Sequence, residues 1–297
     1  MILYILLKPV LFILLHTPRC VLMALAKFLG LCLWYLSSDR RHVAIVNATI
    51  LGAKDAKKTA KKSFIYTFMA YIDIFYAKRI NKKIIDKYVE IEGLEIYEAL
   101  KKEHKEMAFI SGHFGAWSLM ATLAYQTAGI KLITIGRSTK NFAIDKILDE
   151  LRTFEGIKYV THRGAIEKLP EYIKQRYMPG VYIDHIAPDK DCINVNFCGY
   201  KVPVIAGIPA LCIRKNYPAI FFFTLYDGKK FKIIVKNPVF PDKKLKPKER
   251  IIKFIEDINK VYEEVYRQYP EQWYLIHRRF KRVELEDGTL SGYLYDK

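Results

Sequence analysis

The chain has 297 residues, a formal net charge of +18, 51% hydrophobic and 14% aromatic residues. That composition excludes a disordered segment or a disulfide-stapled mini-protein, and it leaves room for one large α/β domain plus a short extra segment. The lysine and arginine excess suits phosphate-bearing or acidic partners: nucleic acid, an anionic membrane leaflet or an acidic protein.

The five cysteines, Cys20, Cys32, Cys192, Cys198 and Cys212, are odd in number and lack C-x-x-C spacing. This argues against a disulfide framework and a zinc site and fits reduced thiols.

Residues 2–15 are almost wholly apolar, broken by Lys8-Pro9, and a second apolar stretch runs from Cys20 to Leu36. Neither reaches cleanly the roughly 20 residues that span a bilayer, and no basic n-region or cleavage site marks a signal peptide. Two readings fit, a membrane-inserted anchor and a pair of buried helices. The basic pair Arg40-Arg41 just beyond favours the anchor. We therefore divide the chain into a membrane-anchoring segment, 1–37, and a single α/β domain, 38–297. Residues 39–80 read as helical, with Phe64, Phe68, Ile72 and Phe75 at near-helical spacing.

From about residue 88 strand and helix patterns alternate, the signature of an open mixed sheet flanked by helices. Expected strands are 107–112, 131–135, 157–161, 180–184, 219–225 and 231–236. Expected helices are 116–126, 142–154, 165–176, 205–215 and 248–269, with residues 283–297 as a loosely held tail.

Functional groups in such sheets gather at strand carboxyl ends. His113 closes the apolar run Ala108-Phe109-Ile110-Ser111-Gly112, Arg137 follows a second strand, His162-Arg163 a third, and Asp184-His185 a fourth. In Gly112-His113-Phe114-Gly115 the glycines permit a sharp turn and close approach of a substrate. His113 there reads as a general base or as a core histidine beside an ordinary strand-to-helix turn.

Several segments together resemble the late (lauroyl/myristoyl) acyltransferases of bacterial lipid A biosynthesis, in the lysophospholipid-acyltransferase superfamily. These are His113-Phe114-Gly115-Ala116-Trp117, Arg152 with Gly156, Val181-Tyr182-Ile183-Asp184-His185, Phe197–Pro203, and above all the terminal run Pro270-Glu271-Gln272-Trp273-Tyr274-Leu275-Ile276-His277-Arg278-Arg279-Phe280-Lys281. The resemblance covers about residues 1–282. It implies an inner-membrane enzyme facing the cytoplasm, moving an acyl chain from acyl carrier protein to a hydroxyl of a lipid A precursor. It implies no metal or cofactor, and nucleic acid is not an expected partner. An acyltransferase for another glycolipid or a lysophospholipid, and a non-catalytic lipid-binding protein on the same scaffold, stand as alternatives.

The resemblance assigns His113 as base, with Arg152 and Asp184 as catalytic residues. It also exposes a departure. The family pairs its histidine with a carboxylate five positions on, where this chain has Ser118. Asp184, or an acid elsewhere such as Glu150, is then expected to replace that carboxylate in space; His113 working unaided, a loss of catalysis or change of task, and Ser118 as an acylated nucleophile with a base in reach are the alternatives. Arg137, Asn141, Arg163 and Trp117 are expected to bind substrate. The oxyanion is expected to rest on backbone N–H groups around Gly115-Ala116 or on an arginine. Phe109, Trp117, Met120 and Phe221-Phe222-Phe223 are available for an acyl tunnel, and Arg278-Arg279 for lipid or carrier contact.

Overall fold

The computed structural model describes residues 2–186 and 192–296, the side chains of residues 162–164 and 166 excepted. Four helices come first: α1 (Ile2–His16), α2 (Arg19–Leu36), α3 (Ser38–Ile50) and α4 (Ala56–Asp73). The Ser37 hydroxyl and the Asp55 carboxylate cap α3 and α4 by accepting N–H groups of their first turns.

Among the described residues, α2 is the one helix long and apolar enough to cross a bilayer. It is also docked. Leu22, Met23, Ala26, Gly30 and Trp34 form one buried stripe facing α4, whereas Val21, Leu25, Phe28, Tyr35 and Leu36 face outward. At the start of α2 the Arg19 guanidinium grips Asp73 at the end of α4 through two N–H···O bonds of 2.8 Å. The Tyr226 hydroxyl donates to the same carboxylate at 2.8 Å. Most of α1 stays apolar and exposed, including Ile5, Leu6, Phe12 and Ile13.

The α/β part runs α5 (Lys82–Tyr88), β1 (Val89–Glu92), α6 (Leu94–Glu103), β2 (Ala108–Ser111), α7 (Met120–Ala128), β3 (Leu132–Gly136), α8 (Phe142–Arg152), β4 (Ile157–Thr161), α9 (His162–Lys174) and β5 (Met178–Tyr182). A hairpin β6 (Cys192–Phe197) and β7 (Tyr200–Ile205) follows, then α10 (Gly207–Lys215), β8 (Ala219–Asp227), β9 (Lys230–Val239) and α11 (Pro247–Gln268). The seven-stranded sheet has the order β1-β9-β8-β2-β5-β3-β4. Its pairs are parallel except β8–β9, so this is the open mixed sheet expected. Strands β1, β6 and β7 were not expected.

Residues of β8 are buried at every position from Ala219 to Tyr226. Phe221 and Phe223 join the core under α3, α10 and α11, and Phe222 joins the core under α2, α6 and α7. These phenylalanines and Phe109 are packing residues rather than the walls of a tunnel: each is at most 2% exposed, and Phe109 stacks on Phe222 at 4.8 Å. Burial of each such side chain stabilises the fold by about 1.5–3 kcal/mol.

The C-terminal residues are not a loose tail. They form a small hairpin, β10 (Val283–Glu284) with β11 (Leu290–Ser291), and Tyr295 is buried. The Tyr295 hydroxyl donates to Asn47 Oδ1 at 2.7 Å and accepts from the Phe280 N–H at 3.0 Å. Buried Asn47 donates in turn to the carbonyls of Leu275 and His277.

Candidate functional site

Strands β2 and β5 are neighbours, but the chain leaves them in opposite directions. From β2 it passes over β5 to β3, and from β5 it returns to β8 on the other side of β2. Such a switch point opens a crevice at the strand carboxyl ends. His113 lies two residues past β2 and Asp184 two past β5.

There the His113 Nδ1–Asp184 Oδ1 distance is 2.9 Å, and the His113 backbone N–H donates to Asp184 Oδ2 at 2.8 Å. The same Oδ2 accepts the Tyr266 hydroxyl of α11 and the Trp273 indole N–H, each at 3.1 Å. Asp184 is wholly buried, while the His113 side chain is 23% exposed. Burial pushes the Asp184 carboxyl up, but its interaction and hydrogen bonds with His113 and the neighbouring His185 outweigh it, and the group is held well below the usual carboxylate range. The result is an anchored anion behind an imidazole with one free edge.

The turn that delivers His113 is clamped. A Cβ on Gly112 would meet the Tyr266 hydroxyl at 1.9 Å; Gly115 has φ +53°, and a Cβ there would meet the Thr224 carbonyl at 1.8 Å. The Gly115 N–H donates to Gln272 O at 2.8 Å and the Ala116 N–H to Thr224 O at 3.0 Å. Both amides expected to hold an oxyanion are therefore already spent on structure. Tyr274 N–H donates to His113 O, so the terminal run is strapped across the turn.

Aromatic rings enclose the imidazole. His185 stacks on it at 3.5 Å with an interplanar angle of 7°, and His277 stacks on His185 at 4.1 Å and 16°. Tyr182 and Trp117 approach the His113 ring edge-on at 5.0 and 5.8 Å. Burial pushes the His185 imidazole well below its ordinary pKa, helped by His113 and Arg279 against Asp184. Burial and then the Arg279 guanidinium bring His277 down to about 4. His113, Asp184 and His185 bring ligand atoms within 4.8 Å of one another. The two rings are parallel, however, and direct their nitrogen lone pairs side by side instead of to one point.

The other expected residues divide. Arg152, ending α8, stands near the crevice: its charge lowers the pKa of the Tyr182 and Tyr71 hydroxyls against the burial that pushes both up. Ser118, expected at the imidazole, donates instead to the Ala70 carbonyl at the end of α4. Glu150 is paired with Lys8 and Tyr4 of α1 and is no partner for His113. Asn141 caps α8, accepting the N–H groups of Ala143 and Ile144. Arg137 is exposed at the end of β3. The Arg163 side chain lies outside the described residues. Arg278 pairs with Asp39. Arg279, expected at a surface, is 1% exposed, donates to Pro203 O and lies over Phe197. Sequence reasoning placed His185 at this strand end beside Asp184 but missed Tyr266, Trp273 and His277 as parts of this constellation; His277 carried only the weak signal of a histidine inside a matched segment.

An imidazole with an anchored carboxylate at the switch point of a parallel-rich α/β sheet is a candidate acid–base site. Residues 2–282 match the family model described as bacterial lipid A biosynthesis acyltransferase, and the chain belongs to that family. It is 24% identical over 157 residues to the lipid A biosynthesis myristoyltransferase of Escherichia coli (strain K12), a match covering 51% of this chain and 47% of that protein. The chain thus aligns with about half the length of that curated relative. A solved structure, the 1-acyl-sn-glycerophosphate (LPA) acyltransferase PlsC from Thermotoga maritima, is 14% identical with a TM-score of 0.38, covering 83% of this chain and 96% of that one.

Proposed function

We propose that the protein transfers a fatty acyl chain from an acyl carrier protein thioester to a hydroxyl of a lipid A precursor at the cytoplasmic face of the inner membrane. The observation that carries this reading is the His113–Asp184 pair, with a buried carboxylate held by four donor contacts in a chain of this family.

Asp184 fixes the tautomer with Nδ1–H toward itself, leaving Nε2 as the base. Nε2 takes the proton of the acceptor hydroxyl as its oxygen attacks the thioester carbonyl. The imidazolium that forms is stabilised by the Asp184 carboxylate. Arg152, whose charge reaches the Tyr182 and Tyr71 hydroxyls, is the cation assigned to the developing oxyanion. Collapse of the tetrahedral intermediate breaks the C–S bond, and the departing thiolate takes the proton back from His113.

The outward apolar faces of α1 and α2 suit attachment to a membrane, and the +18 charge suits anionic lipid and an acidic carrier protein. Residues 1–37 are then the anchor in function, although α2 is packed into the domain that follows.

The test is acyl transfer from a panel of acyl carrier protein thioesters to a lipid A precursor, to a second glycolipid and to a lysophospholipid, with wild type and His113→Ala side by side. Transfer to the lipid A precursor that His113→Ala abolishes is the expected result. Wild-type activity confined to another acceptor refutes the substrate assignment, and activity retained by His113→Ala refutes the base.

A further inference from the structure

We propose that His185 is a positioning residue for His113: its stacked ring holds the reacting imidazole in the plane that keeps Nδ1 on Asp184 and Nε2 open. This rests on the reading of His113 as the base.

A single Nδ1 contact leaves an imidazole free to swing about that bond. Three groups oppose the swing. Tyr182 and Trp117 meet the ring edge-on, and His185 covers its face at 3.5 Å with only 7° between the planes. His185 is itself fixed by His277, stacked at 4.1 Å on its far face, and by Tyr274, tilted against it at 5.3 Å. His277 comes from the terminal run, whose backbone is tied to Asn47. The stack is thus anchored at the end away from the substrate and presents its free end, His113, to the crevice.

One nitrogen of each supporting ring is not engaged in holding the stack. His185 Nε2 and His277 Nδ1 are buried and have no hydrogen-bond partner among the described residues. Buried cationic Arg279 lies close enough to both rings to disfavour their protonation. An uncharged stack matters because a second imidazolium 3.5 Å from His113 would oppose the positive charge that His113 takes up during transfer. What the stack supplies is a flat, neutral surface, and a phenyl ring supplies the same.

The experiment compares His185→Phe, His185→Ala and His185→Gln in the full chain, with steady-state acyl transfer from an acyl carrier protein thioester. His113→Ala runs beside them, and thermal unfolding checks that each variant is folded. The expected result is that His185→Ala and His185→Gln lower kcat at least about tenfold with KM within about twofold, since a misaligned base costs turnover rather than binding. His185→Phe should restore kcat to within about threefold of wild type. Should His185→Ala not fold, His185→Gln is read in its place. Wild-type kcat in the ring-less variants overturns the proposal, and so does a His185→Phe as slow as His185→Ala, because the nitrogen and not the stacked plane would then be what His113 needs. Activity surviving in His113→Ala instead removes the base reading, a separate failure seen in the control.

Discussion

Trp273 donates its indole N–H to the same Asp184 oxygen that receives the His113 backbone N–H, at 3.1 and 2.8 Å. A residue of the terminal run thereby helps to orient a carboxylate 89 positions earlier. Trp273→Phe keeps the ring stacked on Tyr266 and removes only the donor. We expect a loss of about 2 kcal/mol in denaturant unfolding, the usual worth of a hydrogen bond to a charged group. In kinetics kcat should fall with KM little changed. Unchanged stability and turnover would mean that Tyr266 and His113 hold Asp184 without help.

The carboxylate, not Ser118, orients the imidazole. Asp184→Asn keeps the shape and removes the charge, and we expect kcat to fall by about 10^3–10^4, the scale on which an acid–base site loses its orienting carboxylate. Ser118→Ala loses one hydrogen bond to Ala70 O, costing about 1 kcal/mol of stability, and kcat should stay within about threefold. Steady-state kinetics on the two variants decides; the reverse ranking sinks the assignment.

His277 gives the site a pH signature that does not depend on substrate. Its folded-state pKa of about 4 lies below the ordinary histidine value. The unfolded chain therefore takes up a proton before the folded one as pH drops, and stability falls as pH goes from about 6.5 to about 4, by about 3 kcal/mol. His277→Phe should flatten that part of a stability-versus-pH curve. Asp184 acts in a lower window. Its carboxyl is depressed in the folded state, so its contribution is present above about pH 4 and is lost below it.

Arg19 is the cation opposite a fully buried Asp73. Arg19→Met strands that carboxylate with only the Tyr226 hydroxyl as donor, and we expect about 3–5 kcal/mol of destabilisation, the cost of breaking a buried pair from one side. Denaturant unfolding in detergent measures it. A loss under about 1 kcal/mol would mean that α2 is not held by this contact and is free to leave α4.

The α/β core was legible in the sequence because its strands are apolar runs bounded by Gly, Pro and charged residues; 157–161 matches to the residue. The β6–β7 hairpin was not. Its two-residue turn uses Cys198 at φ 51° and Gly199 at φ 84°, and Cys-Gly lacks the Asn-Gly or Asp-Gly cue that announces such a turn. His113, Arg152 and Asp184 were nominated by the family motif, and the fold brings His113 and Asp184 into contact. That Asp184 is the carboxylate against His113 was one of several options, since separation along the chain says nothing about the bond at 2.9 Å. Tyr266 and Trp273 read as core aromatics, which they also are. Only the fold shows that their polar atoms end on Asp184. The amides of Gly115 and Ala116 looked free because the carbonyls that consume them, of Gln272 and Thr224, lie more than 100 residues downstream.

The strap over the His113 turn orders events during synthesis. A ribosome makes α1 and α2, which carry the outward apolar surface, before the sheet. It makes Tyr266, Trp273 and His277 after the sheet, and until they emerge Asp184 lacks two of its donors and the imidazole stack lacks its base. The outward apolar surface of α1 and α2 is therefore present on the growing chain before the His113–Asp184 arrangement is complete.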